Sequence, residues 1–294
     1  MATFRAMTTD VAVIAEGVDG CRLVDAIARH FADAERRFSR FLADSELARL
    51  NRATGPVVVS APLFDALVAA RRYVTWTDGI FEPAIGGALV ALGYDRSFAP
   101  GALDRDRDVE VPRAATLLDV QLDASHSEVT RPAAVQLDLG GMIKGRTVDE
   151  AAAWLPAHGA IDAGGDAVLR GCGWLVEIED PRDPARTLGV LRVGDRAVAT
   201  SAANRRRWQV GGTARHHLVD PRTRRPAVTD LLQVTVVAPT AELADVVAKT
   251  VFVLGARAGR AFVERDPRLG AVLVRTTGAP IACGAIDVVE LNRD

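Results

Sequence analysis

Three stretches of the sequence place chemically useful residue types at useful spacing. The first, residues 136–155, reads QLDLGGMIKGRTVDEAAAWL and offers Asp138, Gly140, Gly141 and Lys144 where an apolar run gives way to helical spacing. Glycine permits close backbone approach, and a helix starting near Ile143 aims free N–H groups and a positive dipole end at the loop. Lys144 adds a mobile cation, and Asp138 adds a hydrogen-bond acceptor or metal ligand. The second stretch, HHLVDPRTRRP over 216–226, contains His217, a candidate general base. Alternation predicts that His217 and Val219 share one strand face and His216 the other, so the adjacent histidines make a poor metal pair. The third, ELADVVAKTVFVLG over 242–255, sets Asp245 and Lys249 one helical turn apart. That spacing fits an ordinary i,i+4 ion pair, and it also fits a carboxylate presented to a cation or phosphate.

Common motifs do not account for these stretches. A P-loop has its lysine after the second glycine, whereas Lys144 precedes Gly145; GGMIKG also lacks the G-x-G-x-x-G spacing of a dinucleotide site. Taken alone, the stretch reads as a glycine-rich turn with a surface lysine, with a phosphate cradle as the alternative. Thr200 and Ser201 follow a buried apolar run, but no G-x-S-x-G elbow surrounds them, which excludes a serine hydrolase triad. The run Arg205–Arg207 reads as a solvated edge. Gly164, Gly165 and Asp166 fit a tight hairpin or a close approach of backbone to a ligand.

The elements that must position these residues follow from periodicity and punctuation. TTDVAVIAEG alternates as a strand, and the following segment switches to helical spacing with Leu23, Ile27, Phe31 and Ala34 on one face. DSELARLN is a short helix capped by Asp44 or Ser45, and GPVVVS a short strand. A helix runs from Pro62 to about Thr77 and is closed by Gly79. A polar surface excursion follows from Gly93 to Ala115, then a hairpin turning at 124–127. AVQLDLGG reads as a buried strand and RTVDEAAAWLPAHG as a helix ending near Gly159. Strands then dominate: GAIDAGGDAVLRG, WLVEIED, TLGVLRVG, RAVATS, RRWQVGG, ARHHLVD and LLQVTVVAP. Thr240 caps a helix that continues through ARAGRAFVERDP, and GAVLVRTTGAPIACG closes as a hairpin. Strands cluster after residue 115 with helices before and after them. The order predicts an α+β fold, a mostly antiparallel sheet flanked by helices, as one intertwined domain over residues 1–294.

The totals bound the function. The chain has 294 residues and a net charge of −2, and aromatics make up 5%, which leaves no basic field or stacking surface for nucleic acid. Cys21, Cys172 and Cys283 are far apart and fit neither a disulfide framework nor a CxxC metal site, so they read as reduced thiols. The first residues lack the pattern of a secretory signal, and no apolar run reaches membrane-spanning length. The expectation is a cytoplasmic protein without stable membrane insertion.

Taken in order, AMTTD, FSRFLADSELARLN, TDGIFEPAIGG, DLGGMIKGRTVD, AGGD, ATS, HHLVDPRTRRP and ADVVAKTVFVLG resemble the FAD:protein FMN transferase family, the ApbE-type flavin transferases. The resemblance covers nearly the whole chain. It implies an α+β enzyme that binds FAD and, with Mg²⁺, cleaves its pyrophosphate. FMN passes to a threonine or serine hydroxyl of an acceptor flavoprotein, and AMP leaves. By the same resemblance, Met7, Phe41, Phe81 and Glu82 line the FAD pocket, Asp138 and Lys144 hold the nucleotide and its phosphates, and Val219 offers backbone contact. His217 takes the place of the base. Asp245 and the Gly141 carbonyl take the place of the metal ligands, with Lys249 at the third metal position.

Three positions depart from the family pattern. Lys249 stands where threonine is usual, four residues after the metal aspartate, and Thr250 is one residue late, turned by about 100° on the helix. Arg224 and Ala202 each replace a usual glycine. These departures keep two other readings open: an FAD-binding protein without transfer activity, and an FAD pyrophosphatase that releases FMN and AMP.

Overall fold

The computed structural model describes residues 1–16, 20–98, 110–111 and 115–292. The chain forms two compact units, each assembled from separate stretches: Met1–Phe31, Lys144–Asn204 and Val228–Asp294 in the first, Ala32–Ile143 and Arg205–Ala227 in the second. The fold is α+β, with six α-helices among the described residues.

The first unit is organised by an eight-stranded sheet. Its strands are Ala2–Ala6, Thr9–Ala15, Gly159–Ala163, Asp166–Arg170, Arg196–Ala202, Leu231–Ala238, Gly270–Arg275 and Ile281–Gly284, and their spatial order is their chain order. Every neighbouring pair is antiparallel. Successive side chains point to opposite faces, so each central strand serves two cores. Val11, Val13, Ile161 and Ala197 pack with Ile27, Phe31 and Val148 of the helices. Ala160, Leu169, Val198 and Val237 pack on the other face with Ile178, Leu188 and Leu191. Those last residues belong to a three-stranded sheet of Trp174–Glu179, Thr187–Val193 and Asp287–Leu291.

The long helix Ala241–Glu264 starts as expected, with the Thr240 hydroxyl accepting from Leu243 N. Gly255 breaks its regularity at φ 79°, and Asp230 Oδ1 accepts from Ala256 N at 2.8 Å to start the second segment. A Cβ at Gly255 would lie 3.0 Å from that oxygen. Two-residue turns of type I′ need positive φ at both central residues. Gly164 and Gly165 supply it at 61° and 94° and make the tight hairpin expected there. Met7 and Thr8 do the same at 49° and 63° without glycine, between two strands of which the sequence revealed only the second.

The second unit contains the helices Glu46–Arg52, Ala61–Trp76 and Gly86–Ala91 and a three-stranded sheet of Val57–Val58, Glu128–Thr130 and Gln121–Asp123. Ser45, rather than Asp44, caps the first helix. Gly79, at φ 76°, closes the second through its N–H on Val74 O. Arg207–Val210 pairs with Thr213–His216, and Val219–Asp220 with Arg225–Pro226.

Several expectations are corrected. AVQLDLGG is not a strand: its backbone bonds go to side chains and loops instead of a ladder. The Asn51 amide both donates to Leu137 O and accepts from Leu137 N, each at 2.8 Å, while Gln136 O accepts from Gly86 N and Asp138 N donates to Pro83 O. The next helix spans Ile143–Ala152: it starts at Ile143, as expected, but stops well short of Gly159. RAVATS is a strand as expected, extended by one residue to Ala202, and Thr200 and Ser201 lie within it. His217 sits in a bend between two short strands, so it shares no strand face with Val219. Asp287–Leu291 is a further strand that the periodicity did not reveal. Most of the expected excursion, residues 99–109 and 112–114, lies outside the described residues.

Candidate functional site

In the first unit the Ile143–Ala152 helix docks on the start of the long helix. A Cβ on Gly145 would meet Ala241 O at 2.4 Å, so only glycine permits this approach. Asp149 then accepts from the free Ala241 and Glu242 N–H groups at 2.7 and 2.9 Å, using the donors that a helix start leaves open. Burial pushes the Asp149 carboxyl up to about 6, against those two hydrogen bonds. Arg146 pairs with Glu242 across the same junction.

This docking brings Lys144 and Asp245 into one cluster. The Lys144 ammonium donates to Ala163 O at 2.7 Å and lies 2.5 Å from Asp166, which is almost wholly buried. Asp245, also buried, pairs with Lys249 one turn along. Burial pushes the Asp245 carboxyl up; nearby Asp166 adds to the rise, while Lys249 and Lys144 oppose it. Asp245 Oδ2 is buried without a hydrogen-bond partner among the described residues.

Magnesium, implied by the resemblance, takes about six oxygen ligands and favours uncompensated carboxylates. No group of three or more His, Cys, Asp or Glu able to hold a metal occurs among the described residues. Lys249 Nζ occupies Asp245 Oδ1, and the Thr250 hydroxyl is turned inward to donate to Val246 O at 2.8 Å. Two carboxylates already face two ammonium groups. The donor set as arranged does not fit a divalent cation, despite the open Oδ2.

The second unit holds a different cluster. Arg40, mostly buried, pairs with Asp138 through Nε. Its guanidinium carbon lies 4.1 Å from the Phe41 ring centre and 4.6 Å from that of Tyr94, an attractive arrangement of cation over π-faces. Tyr94 packs on Trp208, whose indole N–H donates to Leu92 O at 2.7 Å. Burial pushes the Tyr94 phenol up; Asp138 adds to this, while Arg206 and Arg40 oppose it. Arg40 Nη2 is a buried donor with no partner among the described residues. Asp138 Oδ1 accepts from Gly140 N at 2.7 Å, so both carboxylate oxygens are engaged.

The match to known proteins covers most of this chain: residues 7–273 fit the model of the ApbE family. The chain belongs to the ApbE family. A Treponema pallidum relative named FAD:protein FMN transferase is 32% identical over 262 residues, covering 79% of this chain and 71% of the relative. A Vibrio cholerae relative of the same name is 26% identical over 270 residues, covering 88% and 81%. The crystal structure of the Thermotoga maritima ApbE protein superimposes with a TM-score of 0.84 at 24% identity, covering 96% of each chain, which establishes the fold.

Against the ApbE expectations, the first unit unites Lys144, Asp245 and Lys249, and adds Asp166 as the fourth charge. Met7 holds the left-handed turn at the sheet end and packs on the core. In the second unit Phe41 and Asp138 meet through Arg40, and Val219 packs with Tyr94 and Trp208. Gly141 lies in the turn before the Ile143–Ala152 helix. Phe81 is buried edge-on against Tyr73. Glu82 is occupied structurally: its Oε1 accepts from Ala84 N and Leu117 N at 2.8 and 2.9 Å. His216, the neighbour of His217, is held below its ordinary value by burial, with Arg207 adding to the effect.

The substitutions at glycine positions differ in outcome. Arg224 keeps the left-handed conformation, φ 60°, that glycine would favour. Its guanidinium is buried and donates to Ala84 O at 2.9 Å, which offsets the strain. Ala202 simply ends a strand. Arg40, Tyr94 and the role of Asp166 were missed from sequence. The only available signal for Asp166 was its place after the glycine pair, and Arg40 lay unremarked within FSRF.

Proposed function

We propose that this protein transfers FMN from FAD to a threonine or serine hydroxyl of an acceptor flavoprotein, releasing AMP. Membership of a family whose curated relatives bear the name FAD:protein FMN transferase carries this reading. The geometry supports it through two anchored ammonium groups in the first unit and a ring-lined guanidinium–carboxylate pair in the second.

In this reading the acceptor hydroxyl oxygen attacks the phosphorus on the FMN side of the pyrophosphate. The bond from that phosphorus to the bridging oxygen breaks, and AMP leaves with that oxygen. Phosphoryl transfer of this kind needs charge neutralisation and alignment more than covalent chemistry. Lys144 and Lys249 meet the phosphate charge, and His217 accepts the hydroxyl proton, a contribution of about 10²–10⁴-fold. Asp138, Phe41, Met7, Phe81, Glu82 and Val219 shape the flavin nucleotide's surroundings, with Arg40 orienting Asp138. No helix among the described residues is long and apolar enough to cross a membrane, and we place the activity in the cytoplasm, where free thiols such as Cys21 and Cys172 persist.

The test is incubation with FAD and a peptide carrying an acceptor threonine, read by mass spectrometry of the peptide and by AMP release. FMN-modified peptide with equimolar AMP is the expected result. Free FMN and AMP without modified peptide would instead identify a pyrophosphatase, and retained FAD without turnover a binding protein. His217→Ala should keep FAD affinity while slowing transfer by roughly 10²-fold or more. Parallel loss of affinity would make His217 structural.

A further inference from the structure

We propose that Lys249 is a tethered replacement for a divalent cation, so that the Asp245 cluster works on phosphate without bound metal. The idea rests on the transferase reading for its choice of ligand and extends it to how charge is neutralised. Asp245 is buried on a helix and cannot hold a charge there unpaired. The chain supplies the counter-charge from one turn further along the same helix, with Lys249 Nζ on Asp245 Oδ1. Lys144 is anchored in the same manner by Asp166 and Ala163 O.

The exposure pattern gives this arrangement a direction. The two carboxylate side chains are each 2% exposed, whereas those of Lys249 and Lys144 are 23% and 15% exposed. Negative charge therefore lies behind and positive charge in front. Two ammonium heads backed by two buried carboxylates present the same formal charge as one divalent cation held between them. An ammonium has three N–H donors, and the carboxylate occupies only part of that set. The remainder are available to phosphate oxygens as charge-assisted hydrogen bonds. No proton leaves either lysine in the transfer. A divalent cation on Asp245 would have to displace Lys249 and then sit beside the ammonium it displaced. Thr250 offers no substitute ligand, because its hydroxyl is bonded inside the helix.

Two measurements test this on the intact protein. Binding of Mn²⁺, followed by electron paramagnetic resonance and calorimetry, needs no turnover. The unaltered protein and Lys249→Arg should bind no Mn²⁺ at millimolar concentration, while Lys249→Thr should gain a site. Mn²⁺ binding to the unaltered protein would overturn the proposal. Absence of binding to Lys249→Thr would overturn it too, since Lys249 would then not be what keeps metal out. FMN transfer with excess EDTA is the second readout. The unaltered protein should retain its rate, and Lys249→Thr should lose roughly tenfold or more and recover with Mg²⁺. Transfer that stops in EDTA and returns with Mg²⁺ in the unaltered protein would refute the idea. If no transfer occurs under any condition, the transferase reading fails, and the Mn²⁺ result still decides the role of Lys249.

Discussion

In the first unit, one ammonium stands against each carboxylate: Lys144 against Asp166 and Lys249 against Asp245. In the second, a single guanidinium, Arg40, meets a single carboxylate, Asp138, and turns its faces to the rings of Phe41 and Tyr94. The first arrangement leaves cationic heads nearest solvent and suits charged, non-planar oxygens. The second leaves one buried donor, Arg40 Nη2, among flat apolar surfaces and suits a planar group with a carbonyl or similar acceptor. The two clusters thus differ in kind, one built around charge and the other around shape, and the difference can be tested by breaking each in the same way.

Asp245→Asn should have the largest effect. It removes a buried charge and leaves two ammonium groups facing Asp166 alone, a change that costs about 3–5 kcal/mol when one partner of a buried pair is lost. Asp138→Asn keeps an oxygen for Arg40, and its cost should fall in the range of about 1–3 kcal/mol for a hydrogen bond to a charged group. Urea denaturation of both variants measures the difference. Equal losses would show that the clusters are balanced alike and would end the distinction.

Much of this contrast was visible in sequence for the first unit and little of it for the second. Asp245 and Lys249 are one helical turn apart, so the 3.6-residue period alone paired them. Thr240, Ser45 and the Gly164–Gly165 turn were legible for the same reason: caps and two-residue turns act over a few residues. Arg40 and Asp138 are 98 positions apart, and no local period connects them. The segment ending in Asp138 misled for a related reason. Its apolar alternation is that of a strand, but Asn51, far along the chain, satisfies the backbone in place of a neighbouring strand. Met7–Thr8 was invisible because neither residue announces the left-handed turn it adopts. Sequence periodicity registers contacts along an element, while contacts that close a site from distant loops leave no such trace.

Arg40→Lys sharpens the comparison from the second unit's side. The charge and the pairing with Asp138 can persist, but the planar fork and its stacking on two rings cannot. The expected cost to FAD affinity is about 1–2 kcal/mol, roughly tenfold, read by fluorescence titration. Lys249→Arg, the opposite exchange in the first unit, should leave affinity nearly unchanged, because that site uses its cation as a charge rather than as a plane. If the two exchanges cost the same, shape has no special part in the second cluster.

The smallest effect concerns Cys283, which reports how far disturbance of the first cluster spreads. Burial pushes its thiol up to about 11, with Glu264 adding to the rise and Arg260 opposing it, and both of these lie on the second segment of the long helix. At mildly alkaline pH this leaves about a hundredfold less thiolate than an ordinary cysteine would have. Cys21 and Cys172 are exposed, so a thiol reagent should find two fast groups and one slow. Asp245 lies on the first segment of that helix, with the Gly255 break between it and Glu264. In Asp245→Asn, a faster Cys283 would mean that loosening crosses Gly255 and that the helix responds as one piece. An unchanged rate would mean that the break, fixed by Asp230 on Ala256 N, confines the damage to the cluster. Asp138→Asn should leave Cys283 slow in either case, and a fast Cys283 there would show that the two clusters do not respond independently.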